Sequence, residues 1–234
     1  MPNVHKEKIQ LSTVLFDLDG TLYDTAPDLA FALNQLCLAH HAPALAFKDI
    51  RPHAGHGSHS LLKLALNIDT THPTFQQRYE QFITLYQSHI SKTTQLFTGV
   101  KQVLTYLEEH AIPWGIVTNK PQNLTDQLLS MVPLPYKPHC LIYGNSLPKR
   151  KPFPDPILYA CQLLKKNPYH CLYIGDTEID VLASKAAGTQ SMVALYGYIS
   201  QSEDPYSWQA DGYIKHPIDI ITWLQSVVTP RSFC

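Results

Sequence analysis

The chain has 234 residues, of which 44% are hydrophobic, and a formal net charge of -1 at neutral pH. A chain of this length and apolar content can bury a core of its own, which argues against a disordered protein. The balanced charge argues against a nucleic-acid or membrane-surface footprint, and no apolar run approaches the roughly 20 residues that span a bilayer. We therefore expect neither nucleic acid nor membrane as a partner.

The N-terminal segment and the cysteines indicate the compartment. The segment is polar before its first apolar run and lacks the apolar stretch of a signal peptide. The cysteines are odd in number, scattered and without a CxxC pair, which favours reduced thiols over a disulfide or zinc framework. They are Cys37, Cys140, Cys161, Cys171 and Cys234. These features predict a cytoplasmic protein.

The first predicted element is a buried strand over Thr13–Phe16, a short β-branched and apolar run. It ends at the string Asp17-Leu-Asp-Gly-Thr21. Asp17 and Asp19 are two residues apart, and in an extended chain such residues point to the same side. Both side chains can therefore reach one small site. Gly20 permits a tight turn there. A turn of ordinary solvated acids is the alternative, and the position at the end of a strand counts against it.

A helical region follows this strand. From about Asp24 to Gln95 the sequence contains no convincing strand. Amphipathic helices are predicted over Ala26–His40, Ser58–Asn67 and Thr74–Ile90. The simplest interpretation is a small helical domain, residues 24–94, inserted into a core of residues 1–23 and 95–234. Such an insert lies over the carboxyl ends of the strands, where open α/β sheets bind ligands, so we expect a lid.

The rest of the chain alternates between strands and helices. Apolar runs bounded by turn residues predict strands over Trp114–Val117, Cys140–Tyr143, Cys171–Ile174 and Met192–Leu195. Helical patterns cover Val100–Glu109, Ile157–Lys165 and Thr177–Ala187, the last ending at Gly188. This alternation predicts an α/β fold, with a Rossmann-like three-layer α/β/α core around a parallel sheet.

Polar residues lie near the ends of later strands. Thr118 and Asn119 can donate hydrogen bonds to phosphoryl oxygens without adding charge. Lys151, close to two acids, would keep both ionised and could bind phosphate. Asp176 offers the carboxylate oxygens that Mg²⁺ prefers. Taken singly, each has an ordinary alternative: helix capping for Thr118, Asn119 and Asp176, and a solvated basic loop for Lys151.

Together these strings resemble, in order and spacing, the motifs of the haloacid dehalogenase superfamily of phosphohydrolases. The matching strings are Asp17-Leu-Asp-Gly-Thr21, Thr118-Asn119, Lys151-Pro152 and Gly175-Asp176 with Asp180. The helical insert is similar to the smaller, helical cap of that superfamily. The resemblance spans nearly the whole chain and implies a Rossmann-like core beneath a cap.

Two groups within the superfamily are similar in further stretches. Leu22–Leu29, Thr118-Asn-Lys-Pro121 and Gly197-Tyr198 resemble the phosphoglycolate phosphatases. Leu96–Gly99, Trp114–Pro121 and Tyr196–Ile199, with Trp208–Asp211, also resemble the N-acetylmuramic acid 6-phosphate phosphatases. The resemblance therefore implies a small phosphorylated metabolite as substrate and leaves open which one.

The resemblance also implies a Mg²⁺-dependent mechanism with an aspartyl-phosphate intermediate. Asp17 would be the nucleophile, and Asp19 the general acid and base. Mg²⁺ would be held by the Asp17 carboxylate, the Asp19 backbone carbonyl and the Asp176 carboxylate. The remaining expected contributors are Thr118, the Asn119 backbone and Lys151 on the transferring oxygens, and Asp180 and Thr21 as supporting partners.

The segment Arg51–Ser58 resembles a cap loop that reaches the active site in the phosphoglycolate phosphatase group. Arg51, Gly55 and Gly57 match its pattern, whereas His53 and His56 depart from it. Because the resemblance implies that this loop reaches the active site, Arg51, Gly55 and His56 are expected to contact substrate. His53, His56 and His59 are spaced at threes, which invites a metal-site interpretation. The glycines and the absence of nearby carboxylates favour loop histidines instead.

Three other functions are weighed against a phosphatase. A dehalogenase of the superfamily lacks an acid at the position of Asp19, so the presence of this residue favours phosphoryl chemistry. A phosphoglucomutase-like enzyme shares the motifs and the cap, and stays open. A non-catalytic regulatory protein on this fold would be expected to have lost a catalytic acid. The sequence leaves the oligomeric state open between monomer and dimer.

Overall fold

The structure is a computed structural model that describes residues 11–227. The polar N-terminal segment and Cys234 lie outside the described residues, as do the two outer ends of the predicted core domain, residues 1–10 and 228–234. Within the described part no helix is long and apolar enough to cross a membrane.

Strands and helices alternate through most of the described chain. The strands are β1 (Thr13–Phe16), β2 (Tyr23–Asp24), β3 (Gln95–Leu96), β4 (Trp114–Val117), β5 (Cys140–Ile142), β6 (Cys171–Gly175), β7 (Gln190–Ala194) and β8 (Gly212–Ile214). The helices are α1 (Ala26–Ala39), α2 (Phe47–Ala54), α3 (Gly57–Leu66), α4 (Phe75–His89), α5 (Val100–Glu109), α6 (Gln122–Met131), α7 (Asp155–Leu163), α8 (Glu178–Ala187) and α9 (Asp219–Val227).

Six of these strands form a parallel sheet in the order β5-β4-β1-β6-β7-β8. Every residue of β1 is buried, which is why this run is apolar or β-branched throughout. Val14 and Phe16 join one hydrophobic cluster with α5 and α6, whereas Leu15 joins another with α7 and α8. The sheet is therefore covered on both faces, and the predicted three-layer α/β fold is confirmed.

The strand order also determines where a ligand can bind. From β1 the chain continues to β4 and β5 on one side, and then crosses to β6, β7 and β8 on the other. The carboxyl ends of β1, β4 and β6 therefore meet where the strand order reverses. Open α/β sheets bind ligands at this point.

Helices α1–α4 all lie between β2 and β3. We call residues 24–94 the helical insert. β2 and β3 pair antiparallel, with Tyr23 opposite Leu96 and Asp24 opposite Gln95, so the chain leaves the core and re-enters it at adjacent points. These are the positions at which the sequence predicts the ends of the insert. That the insert is a domain of its own stays a prediction.

A buried acid ties the insert together at its base. Asp28, in the first turn of α1, accepts hydrogen bonds from the backbone N–H and the hydroxyl of both Thr93 and Thr94. Burial alone would raise the pKa of Asp28, but these hydrogen bonds outweigh burial and lower it. The carboxylate thus holds the start of α1 against the segment that returns to the core.

The structure corrects the expected loop over Arg51–Ser58. Helix α2 continues through Arg51 and Pro52 to Ala54, and α3 begins at Gly57. Proline and glycine argue for a loop in the sequence, but Ile50 and Ala54 lie one turn apart and are both buried. Packing of this apolar face outweighs the local propensity.

Candidate active site

Three buried carboxylates meet where β1 and β6 end. Asp17 directly follows β1, Asp176 directly follows β6, and Asp180 lies in the first turn of α8. One oxygen of each lies within 4.8 Å of the others. Buried carboxylates at such distances repel one another, so the cluster needs positive charge beside it.

Lys151 supplies part of that charge. Its Nζ lies 2.8 Å from Asp17 Oδ1 and 2.7 Å from Asp180 Oδ1, and it donates a hydrogen bond to the Tyr173 hydroxyl at 2.7 Å. Burial alone would lower the pKa of Lys151, but the two carboxylates outweigh burial and raise it. The side chain therefore carries its charge in the interior.

Asp180 is fully engaged with protein groups. Its Oδ1 accepts from Lys151, and its Oδ2 accepts from the backbone N–H of Thr177 at 3.0 Å and from the Thr177 hydroxyl at 2.6 Å. The bonds with Thr177 belong to a capping box at the start of α8. Asp180 therefore holds Lys151 and the helix start in place, and it is the least available of the three acids for another ligand.

Asp176 has polar partners but no cationic one among the described residues. Thr21 Oγ1 donates to Asp176 Oδ1 at 3.3 Å, and the backbone N–H of Tyr198 donates to Oδ2 at 2.8 Å. Burial raises the pKa of Asp176 well above its usual value, and the charges of Asp180 and Asp17 add to the rise.

Two glycines let the chain approach the Asp176 carboxylate. A Cβ atom at Gly20 would lie 2.1 Å from Asp176 Oδ2, and one at Gly197 would lie 2.5 Å from the same oxygen. Gly20 also has a φ of +79°, which L side chains rarely adopt. Any larger residue at either position would displace the carboxylate.

Asp17 and Asp176 lack enough neighbouring positive charge, and together they fit a hard divalent cation. Burial raises the pKa of Asp17 to about 6 even with Lys151 beside it. Asp17 and Asp176 thus combine carboxylate oxygens, proximity and a shortage of positive charge. Mg²⁺ prefers carboxylate oxygens and keeps several waters, so these residues fit that ion.

Asp19 lies apart from this cluster. Its Oδ1 accepts from the Thr25 hydroxyl at 2.6 Å, and Lys120 Nζ lies 3.0 Å from Oδ1 and 3.3 Å from Oδ2. Lys120 also donates to the Tyr86 hydroxyl on α4 at 2.9 Å. The sequence predicts no role for Lys120 or Tyr86. Lys120 nevertheless lies in the string Thr118–Pro121, which resembles the phosphoglycolate phosphatases.

Thr118 and Asn119 lie at the end of β4, facing the same site. Thr118 Oγ1 accepts from the backbone N–H of Lys120 at 3.1 Å, and Asn119 Nδ2 donates to the Lys151 carbonyl at 2.9 Å. Asn119 Oδ1 is buried and finds no hydrogen-bond donor within residues 11–227. Asn119 therefore fixes the backbone of Lys151, and its Oδ1 remains available to accept a hydrogen bond.

These residues surround a cavity of about 310 Å³ between the sheet and the helical insert. The core contributes polar side chains, namely those of Asp17, Asp19, Thr118, Asn119, Lys120, Arg150, Lys151 and Thr177. The insert contributes an apolar wall, which consists of Leu29, Leu61, Tyr79, Phe82, Ile83 and Tyr86. The cavity is thus charged at its base and apolar above.

The expected contributors from α2 and the α2–α3 connection divide into two groups. Gly55 and His56 line the cavity. Arg51 does not line it, because its guanidinium donates to the carbonyls of Gly197 at 2.6 Å and Tyr196 at 3.2 Å. The structure thus places Arg51 against the loop after β7, and it does not support the expected contact with substrate. Local sequence could not show which way this long side chain turns.

The loop histidines do not converge. His53 Nδ1 is 2.8 Å from Ser60 Oγ, His56 Nε2 is 3.4 Å from Glu203 Oε1, and the His59 ring stacks on Phe75. Within residues 11–227 the groups that could hold a metal ion do not include these histidines. The expectation that the three histidines lie in a loop is wrong for two of them, since His53 lies in α2 and His59 lies in α3.

Fold and site together define an α/β enzyme with a buried acidic centre beneath a helical insert. Residues 14–194 match the model of the haloacid dehalogenase-like hydrolases, and the chain belongs to that family. Within the family it is a phosphatase of the haloacid dehalogenase type, as the following relatives indicate.

Two curated relatives and one solved structure are similar over most of their lengths. The phosphoglycolate phosphatase of Xanthomonas campestris pv. campestris is 38% identical over 205 residues, covering 87% of this chain and 92% of the relative. The N-acetylmuramic acid 6-phosphate phosphatase of Pseudomonas aeruginosa is 30% identical over 228 residues, covering 97% and 99%. The crystal structure of a predicted phosphoglycolate phosphatase from Haemophilus somnus has a TM-score of 0.83 at 26% identity, covering 92% and 99%.

Proposed function

We propose that this protein is a cytoplasmic, Mg²⁺-dependent phosphatase that hydrolyses a small phosphorylated metabolite through an aspartyl-phosphate. One observation carries the proposal: Asp17 is held beside Lys151 and close to Asp176 at the base of a cavity large enough for a metabolite. The buried, free thiols of Cys37, Cys140, Cys161 and Cys171 agree with a reducing compartment.

The chain's own residues divide the reaction between them. Asp17 attacks phosphorus, the ester bond to the leaving oxygen breaks, and Asp19 gives that oxygen a proton. Asp19 then takes a proton from water, which attacks phosphorus and frees Asp17. Thr118, the Asn119 backbone and Lys151 bind the transferring oxygens.

The metal would be held by the carboxylates of Asp17 and Asp176 with the backbone carbonyl of Asp19. Bound Mg²⁺ would offset the repulsion between the anionic nucleophile and the phosphoryl group and stabilise charge in the transition state. Asp180 and Thr21 support this arrangement, Asp180 through Lys151 and Thr21 through Asp176.

The helical insert, residues 24–94, would act as a cap domain over the core. Support comes from the two-stranded β2–β3 connection, which gives the insert one narrow attachment to the core. Gly55 reaches across to the core, since a Cβ atom there would lie 3.0 Å from Thr177 Cγ2. A cap of this kind excludes water from the reacting groups when it is closed.

The first substrate candidate is phosphoglycolate, the substrate in the names of several relatives. The cavity favours a second candidate, N-acetylmuramic acid 6-phosphate, because a two-carbon acid would leave most of about 310 Å³ empty. The apolar wall suits a larger, partly apolar leaving group.

Release of free phosphate tests the proposal. The substrates are phosphoglycolate, N-acetylmuramic acid 6-phosphate and hexose phosphates, each with Mg²⁺ and with a chelator. We expect metal-dependent release that Asp17→Asn lowers by at least about 10³-fold. Asp49→Asn, on the exposed surface of α2, is the matched control and should keep full activity.

Three outcomes would contradict parts of the proposal. Release that survives Asp17→Asn would exclude the aspartyl-phosphate mechanism. Release that is insensitive to the chelator would exclude the metal. An isomerised sugar phosphate without free phosphate would show a mutase, the alternative that the motifs share.

A further inference from the structure

Lys120 joins three parts of the molecule that the proposed mechanism treats separately. It lies in the loop after β4, contacts both oxygens of Asp19 from the β1 loop, and donates to the hydroxyl of Tyr86 from the insert. Its side chain is only 5% exposed, and its Nζ lies 4.7 Å from the centroid of the Tyr86 ring. The ammonium is therefore enclosed between a core acid and a tyrosine of the insert.

The geometry leaves Lys120 little capacity to bind substrate directly. A lysine ammonium has three N–H donors. Here it faces two carboxylate oxygens and one phenol oxygen, at 3.0, 3.3 and 2.9 Å. The three donors of the ammonium are thus committed to Asp19 and Tyr86 and not to a ligand.

These contacts also distinguish the two oxygens of Asp19. Oδ1 receives the Thr25 hydroxyl at 2.6 Å and Lys120 at 3.0 Å, whereas within the described residues Oδ2 has only the longer contact with Lys120. One oxygen is anchored, and the other keeps capacity to give and take a proton. Two donors on one oxygen also fix the rotation of the carboxyl group.

We propose that Lys120 is the positioning residue of the general acid and base Asp19, and that Tyr86 makes this positioning depend on the helical insert. The inference rests on the proposed function and names two residues that it did not include. Asp19 Oδ2 gives its proton to the leaving oxygen as the ester bond breaks. It then takes a proton from the water that displaces Asp17 from phosphorus.

The first experiment compares leaving groups. An alkyl phosphate such as a hexose phosphate needs a proton on its leaving oxygen, whereas p-nitrophenyl phosphate releases a stable anion without one. Lys120→Met should slow phosphate release from the alkyl ester by about 10²- to 10³-fold. With p-nitrophenyl phosphate it should keep a burst of one nitrophenolate per active site and then turn over slowly, because water attack also needs Asp19. An equal loss of rate with the alkyl ester, in the nitrophenolate burst and in the slower turnover after the burst would overturn the positioning role.

A double-mutant cycle tests whether Lys120 acts through Asp19. In the Asp19→Asn background, adding Lys120→Met should cost less than about 3-fold in kcat, because the group it positions is already inactive. Full additivity of the two losses would overturn the inference. Lys120→Arg keeps the charge and offers five N–H donors in a different geometry, so it should recover part of the alkyl-ester rate. If Lys120→Met does not fold, Lys120→Ala is used instead, with ethylammonium added to replace the missing ammonium. If neither ethylammonium nor Lys120→Arg restores part of the rate, the positioning role is contradicted.

Tyr86→Phe tests the part played by the insert. It removes one hydroxyl from α4 and should lower kcat for the alkyl ester by about 5- to 10-fold, with a smaller effect on the nitrophenolate burst. Tyr159→Phe on the surface of α7 is the control. A change in KM alone would show that Tyr86 acts on substrate and not on Asp19. Activity in Asp17→Asn would contradict the proposed function. Loss of activity in Asp17→Asn, together with an equal effect of Lys120→Met on both substrates, would contradict this inference only.

Discussion

The cavity has two walls of opposite character. On the core wall, Asp17 and Lys151 line the cavity, and behind them Asp176 and Asp180 complete a buried cluster linked by contacts below 5 Å. The insert wall is built mostly from leucine, isoleucine and aromatic side chains. From this difference we propose that the core binds the phosphoryl group, whose chemistry needs fixed charges, and that the insert selects the remainder of the substrate by shape.

The insert and the core meet through several polar contacts. Lys120 donates to the hydroxyl of Tyr86, Arg51 donates to the carbonyls of Gly197 and Tyr196, and the Tyr198 hydroxyl accepts from the backbone N–H groups of Thr25 and Ala26. Gly55 makes a close apolar contact with Thr177. We expect changes among the buried charges of the core to alter chemistry and stability strongly, and changes at the Gly55 contact to alter mainly substrate access.

The largest effect is expected for Lys151→Met in the core wall. This change leaves Asp17 and Asp180 buried without their shared cation, which should lower the free energy of unfolding by about 3–5 kcal/mol and phosphate release by at least about 10²-fold. Urea unfolding and release assays measure both. Lys149→Met is the matched control: Lys149 is exposed and 4.0 Å from Asp155, so the change should stay within about 0.5 kcal/mol. Equal effects of the two variants would contradict the special role of the core charges.

The charge on Asp17 should itself destabilise the metal-free protein. Its pKa is raised from 3.8 to about 6, so between these pH values the folded state binds more protons than the unfolded state. Stability should then fall as pH rises through that window, by about 3 kcal/mol in all. Asp17→Asn removes the charge.

With chelator present, Asp17→Asn should be more stable than the wild-type protein at pH 8, and the difference should vanish below about pH 4. Thermal unfolding at several pH values measures this, with Asp49→Asn as the control. A variant no more stable at pH 8 would show that burial does not penalise this carboxylate.

A smaller effect is expected for Gly197→Ala, which acts on the core through Asp176. The new Cβ atom would lie 2.3 Å from Asp176 Cβ, so the carboxylate must shift. We expect Mg²⁺ affinity, measured by calorimetric titration, to fall by about 10- to 100-fold. The control is Gly212→Ala, whose nearest neighbour is the flexible end of Met192 at 3.2 Å. Unchanged affinity in Gly197→Ala would argue that Asp176 does not hold the metal.

The smallest effect is expected where the insert meets the core. A Cβ atom at Gly55 would come within 3.0 Å of Thr177 Cγ2, which should hinder closure and raise KM about 5-fold. Inorganic phosphate with Mg²⁺ should protect residues 51–58 of the wild-type protein from hydrogen exchange, and Gly55→Ala should weaken that protection. Unchanged exchange in the wild-type protein at saturation would contradict the lid.

The strands could be predicted where burial on both faces imposes a continuous apolar run. The predictions for Thr13–Phe16 and Trp114–Val117 coincide with β1 and β4, and the others differ by one or two residues at an end. The short strands β2, β3 and β8 and the helices α2, α6 and α9 were not predicted. Three residues of β8 are too few to show a period, and these helices lack strong start and stop signals.

The candidate site likewise contains residues that could be predicted from the sequence and residues that could not. Asp17, Asp19, Thr118, Asn119 and Asp176 each lie at the end of a strand, so their convergence followed once the strands were placed. Arg51 turned to the carbonyls after β7, because a long flexible side chain binds whichever partner the packed insert presents. Tyr86 lies in an ordinary amphipathic helix, where nothing in the sequence separates a cavity residue from a core residue.

The sequence by itself therefore determined the α/β class, the place of the helical insert and the acids at the strand ends. These follow from local rules, since strand period, turn residues and the shared direction of parallel strands operate over a few residues. Only the tertiary structure decided which cation faces which acid, the orientation of Arg51 and the link from Asp19 through Lys120 to Tyr86. Those contacts join residues 34 to 146 positions apart, and such pairs meet only after the insert has packed onto the sheet.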